Sequence, residues 1–112
     1  MAAGIAERVR ELQDAARLTQ SDIGRVVGTS ARTVARWDRG SCAPQPGARQ
    51  RLLELVYVTD QASTVIQPSE FSLWLFAPNR LLDHDSPADR IAQGDYRSVL
   101  ALIEALADGI TV

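Results

Sequence analysis

The sequence predicts an all-α protein. Apolar residues recur at three- and four-residue spacing along most of the chain, and no stretch alternates convincingly with the two-residue period of a half-buried strand. Glycine and proline cluster mainly between the periodic segments, where they act as stops and starts. With 112 residues, 46% of them hydrophobic and 23% charged, the chain can bury a single core.

Ile5, Val9, Leu12 and Ala16 place a first helix at 5 to 17. Thr19 to Arg39 then reads as two short helices joined at Gly28. Ile23, Val27, Val34 and Trp37 turn their apolar sides toward each other, Thr19 and Ser30 supply caps, and Asp22 completes a capping box with Thr19. Gly24 stands where a Cβ would hold the pair apart, and Gly28 supplies a left-handed end. GSCAPQPG, residues 40 to 47, is a loop. A helix from about Ala48 to Ile66 follows, so densely apolar over Leu52 to Val58 that it must be central or shared with a second copy. Pro68 and Ser69 open a short helix, with Ser69 as its cap, that Pro78 stops. Leu73, Trp74, Leu75 and Phe76 lie consecutively on it and must point in different directions. Asn79 is a turn residue. Ser86, Pro87 and Asp89 start another helix that ends at Gly94, and Tyr96 to Ala107 forms the last, with Val99, Leu102, Ile103 and Leu106 on one side and Gly109 as its stop.

The pattern divides the chain into residues 1-47, a helix-turn-helix region, and 48-112, a second helical region. Charge divides it similarly. Up to Val56, nine arginines face six acids, a net +3; from Tyr57 onward three arginines face eight acids, a net −5. The first half therefore attracts phosphate and the second repels it. The absence of lysine is explained by base composition and carries no function. No apolar run approaches a membrane span, and the N-terminal stretch meets Glu7 and Arg8 too early for a signal peptide, so a cytoplasmic location is expected. Cys42 is the only cysteine and reads as incidental.

On the second helix of the pair, Ala31, Arg32, Ala35, Arg36 and Arg39 face outward. That describes a rod suited to a DNA major groove, with Ser30, Ala31, Arg32, Thr33, Arg36 and Arg39 as the DNA-binding candidates. The alternative is an ordinary helical hairpin with a solvated basic face. Operator DNA implies a homodimer, because one recognition helix buries too little for specific binding.

From Trp74 onward the spacing of Trp74, Leu75, Pro78, Asn79, Leu82, Pro87, Asp89, Ile91, Gly94, Val99, Leu102 and Gly109 resembles the C-terminal toxin-binding domain of the Xre/MbcA/ParS antitoxins, most of all their MbcA branch. Members carry an Xre-type helix-turn-helix before that domain, so the resemblance covers roughly residues 19 to 112. It implies a RES-domain toxin that consumes NAD as the partner within a larger toxin-antitoxin complex. It also implies that the C-terminal region covers the toxin's active site and that the helix-turn-helix represses the operon. The toxin-binding candidates carried over are Trp74, Asn79, Arg80, Gly109, Ile110, Thr111 and Val112. Independently of the family, an apolar cluster too large for one helix face, an acidic second half and an apolar tail suit a plug for a basic nucleotide-binding cleft.

A stand-alone dimeric helix-turn-helix transcription regulator is the alternative. An enzyme is disfavoured. His84 is the sole histidine, flanked by Asp83 and Asp85, and reads as a solvated loop residue; no catalytic set, metal-ligand set or cofactor-binding loop is expected in this chain.

Overall fold

Caps and apolar stripes set the architecture. The structure, a computed structural model, describes residues 4–109. Among them are seven α-helices and a single 3-10 turn: α1 Ile5–Ala15, α2 Gln20–Val27, α3 Ala31–Asp38, α4 Pro46–Ala62, α5 Pro68–Phe76, the 3-10 turn Arg80–Leu82, α6 Pro87–Ala92 and α7 Tyr96–Ala107. No described helix is long and apolar enough to cross a membrane.

The expected capping box is present at α2, where the Asp22 amide donates to Thr19 Oγ1 and the Thr19 amide to Asp22 Oδ2, both at 3.0 Å. Ser30 caps α3 through the Thr33 amide, and Ser86 and Asp89 form a second capping box at α6. Each of these contacts satisfies helix-end amides that would otherwise lack partners. Gly28 ends α2 at φ 87°, a left-handed conformation that a side chain would strain. Gly24 packs on the turn rather than on the body of α3: an added Cβ would lie 2.5 Å from the Thr29 carbonyl oxygen.

Several boundaries depart from expectation. The first helix stops at Ala15, because Arg17 takes φ 56° and the chain bends toward Leu18. α4 begins at Pro46, which needs no amide partner in a first turn, and ends at Ala62 rather than Ile66. Ser69 is not a cap. Gln67 occupies that position without a side-chain bond, and Pro68 takes the first helical place. The 3-10 turn at Arg80–Leu82 was not foreseen; it is pinned by Asn79, whose Oδ1 accepts from the Leu81 amide at 3.0 Å.

The core is one continuous cluster. Val9 and Leu12 of α1, Ile23 and Val26 of α2, Val34 and Trp37 of α3, Leu52, Leu55 and Val58 of α4, Phe71 and Leu75 of α5, Ile91 of α6, and Val99 and Ile103 of α7 all belong to it. α4 supplies its spine and packs against α1, α2, α6 and α7. Burial at this density makes each of these side chains worth roughly 1.5–3 kcal/mol relative to exposure. The basic and acidic portions of the sequence therefore share one interior.

Candidate functional site

Two surfaces carry the chemistry. The first is the outer face of α3. Burying Val34 and Trp37 leaves Ser30, Ala31, Arg32, Arg36 and Arg39 exposed, while Ala35 and Thr33 are half-buried. Thr33 is occupied locally, since the Ser30 hydroxyl donates to Thr33 Oγ1 at 3.0 Å. Arg32, Arg36 and Arg39 form no ion pair among the described residues. They are charged donors held on a rigid short helix and aimed at solvent, an arrangement able to grip phosphate oxygens or guanine edges. The helix is fixed from behind by Arg10 of α1, whose Nε donates to Asp38 Oδ1 at 3.1 Å and whose Nη2 donates to the Asp38 carbonyl at 3.2 Å.

The second surface runs from α5 through the 3-10 turn to the end of α7. The apolar run on α5 splits as its spacing demands: Leu75 is fully buried, Trp74 and Phe76 are half-buried, and Leu73 is 76% exposed. Trp74 packs on Phe71 with ring centroids 5.9 Å apart, and its Nε1 is buried without a hydrogen-bond partner among the described residues. Phe76 lies under the Arg25 guanidinium at 4.1 Å, a cation–π contact joining α2 to α5.

Asn79 is buried, and besides holding Leu81 it accepts the Leu82 and His84 amides on its carbonyl at 2.9 Å each. Its side chain is thereby occupied with shaping the turn that presents Arg80 and Leu81, both exposed, Leu81 by 50%. A groove of about 250 Å³ beside that turn is lined by Leu81, Leu82, Arg90, Ser98, Ala101, Leu102 and Ala105, and so connects the turn with α7. Gly109 closes α7 at φ 83° and is exposed. Ile110, Thr111 and Val112 lie outside the described residues.

Arg90 is the residue that sequence reasoning missed. Its guanidinium meets Asp85 at 2.9 Å, Asp95 at 3.2 Å and Asp83 at 3.7 Å, and donates to the Leu82 carbonyl at 2.8 Å. Hydrogen bonding to Asp85 raises its pKa above the usual arginine value, against the opposing effect of burial. The Ser98 hydroxyl, with Arg90, holds the Asp95 carboxyl below the usual aspartate range. The available signal was a lone arginine among acids at 83, 85, 89 and 95. This cluster clamps the turn to the start of α7, making the second surface rigid.

His84 is exposed with φ 71°. Among the described residues no three His, Cys, Asp or Glu side chains gather as a metal site.

No family model matches the chain. It is 46% identical over 95 residues to the mycobacterial cidal antitoxin MbcA of Mycobacterium bovis and of Mycobacterium tuberculosis, covering 85% of this chain and 84% of the relative. It is 34% identical over 95 residues to a probable mycobacterial cidal antitoxin of M. tuberculosis, covering 85% of this chain and 81% of that one. Among solved structures it matches a chain in the crystal structure of the M. tuberculosis MbcT-MbcA toxin-antitoxin complex, with a TM-score of 0.85 and 41% identity over 99% of this chain and 100% of that one.

Proposed function

The chain belongs to the family of the mycobacterial cidal antitoxins, and from that membership we propose that it is the antitoxin of a RES-domain, NAD-degrading toxin. The toxin is neutralised when the C-terminal region covers its active-site cleft. The observation that carries this reading is an all-helical frame shared along nearly its whole length with a chain of a toxin-antitoxin complex. In this chain that frame presents Leu73, Arg80 and Leu81 outward.

In this reading Trp74 gives α5 a firm base, and Asn79 sets the turn that offers Arg80. Gly109, Ile110, Thr111 and Val112 are the further residues assigned to the toxin. Residues 48-112 form the toxin-binding and dimerisation region, and residues 1-47 the DNA-binding region. Through α2 and α3, an Xre-like helix-turn-helix, the protein represses its own operon as a homodimer, with Ser30, Ala31, Arg32, Thr33, Arg36 and Arg39 on the operator. It acts without a cofactor or catalytic residues of its own, in the cytoplasm, within a larger complex with the toxin.

The test is coexpression with a RES-domain toxin encoded beside it. The full chain copurifies with the toxin and restores cellular NAD. A chain lacking Ile110 to Val112 that protected NAD at full strength would exclude the tail from the mechanism. High DNA affinity with no toxin captured would favour a stand-alone regulator.

A further inference from the structure

The spine helix turns one face to solvent. α4 buries Leu52, Leu55, Val58 and Ala62, which leaves Leu53 and Tyr57 exposed by 37% and 50%. Arg49 and Asp60 are exposed on the same face, with Val56 half-buried between them. At 3.6 residues per turn these five positions fall within roughly a 100° arc. Two grooves flank the ridge. One, about 540 Å³, includes Pro44, Gln50 and Tyr96 in its lining; the other, about 490 Å³, includes Arg8 and Glu11 of α1. Leu53 and Tyr57 border both.

The face carries its own complement. Arg49 is at one end and Asp60 at the other, about 16 Å apart along the axis, and neither is ion-paired among the described residues. Laid antiparallel on a copy of itself, the strip brings Arg49 opposite Asp60 twice and sets Leu53 against Val56 and Tyr57. Each Tyr57 ridge then meets a groove of the other copy. A two-fold contact requires this self-complementarity, and ridge-into-groove packing is the usual way helices meet it. Parallel pairing would instead oppose like charges at both ends.

We infer that the outward strip of α4, Arg49, Leu53, Val56, Tyr57 and Asp60, is the face on which two copies of this chain pair antiparallel. The inference rests on the homodimer of the proposed function and specifies its geometry. The strip shares no residue with Leu73, Arg80 and Leu81, the outward positions assigned to the toxin.

Sedimentation of the full chain, with neither DNA nor toxin present, tests it apart from either activity. The wild type sediments as a dimer, and Tyr57→Asp as a monomer with unchanged helical circular dichroism. Arg49→Asp and Asp60→Arg each weaken association by about tenfold, since each places two like-charge pairs at the interface. The double variant Arg49→Asp/Asp60→Arg recovers it. A monomeric wild type, a dimeric Tyr57→Asp, or charge reversals without mutual rescue would overturn the inference. So would a Tyr57→Asp chain that loses the toxin but still self-associates. Lost pairing with intact toxin neutralisation would leave the antitoxin reading standing.

Discussion

Replacing Gly24 with alanine places a methyl group 2.5 Å from the Thr29 carbonyl oxygen and 3.2 Å from the Ser30 carbonyl carbon. Ordinary contact needs nearly 1 Å more, and the obstacle is backbone. The turn cannot retreat freely, because the Gly24 carbonyl accepts the Gly28 amide at 2.8 Å and the Thr29 amide at 2.9 Å. Overpacking of this kind costs roughly 1–3 kcal/mol, and a strained turn hydrogen bond adds about 1 kcal/mol. Alanine returns about 1 kcal/mol in helix propensity. The expected net loss is about 2 kcal/mol, or a fall in Tm of roughly 8–10 °C for a chain of this size, read by thermal circular dichroism. Gly47→Ala is the control: it lies in the first turn of α4 with nothing within 4 Å, and should raise stability by about 0.5–1 kcal/mol. An unchanged or higher Tm for Gly24→Ala would refute the close-approach argument.

Arg36→Ala should weaken operator binding and lower the salt slope of log K by about 0.9 for each phosphate contact removed, with toxin capture unchanged; titration by fluorescence anisotropy at several salt concentrations checks it. Leu73→Asp, at an exposed position, should lower toxin affinity more than about tenfold without moving Tm, as measured by calorimetric titration. The pH response turns on Asp95. Its folded-state pKa is depressed, so its stabilising effect is full above the unfolded aspartate value of about 3.9 and is lost as pH falls through the lower folded value. In Arg90→Met the depression shrinks, and acid unfolding followed by circular dichroism should begin at higher pH than in the wild type.

Local chemistry was legible wherever a residue's neighbours in sequence are its partners in space. The Thr19–Asp22 capping box, the Ser86 cap with Asp89 in the first turn, the Gly28 stop and the buried stripe of α7 involve residues within one or two turns, so spacing alone located them. The end of α4 was not legible, because apolar residues continue to Ile66 while the chain turns after Ala62; the Ser69 cap failed because Pro68 takes the first helical place and leaves Gln67 in the cap position. Much of the spacing that resembles the antitoxin family falls on interior or turn positions. Leu75, Leu82, Pro87, Ile91, Val99 and Leu102 are buried, and Gly94 has φ 89°. The resemblance thus tracks the frame more than the surface the frame displays.

By itself the sequence determined which segments are helical, where most begin, and that one face of the third helix is basic, because periodicity and capping act over three or four residues. The tertiary structure decided which member of the Leu73–Phe76 run stays outside, that Asn79 is spent inward, and that Arg90 gathers Asp83, Asp85 and Asp95. Those outcomes depend on how helices rotate and meet around one shared core, and that rotation is set by contacts between residues far apart along the chain.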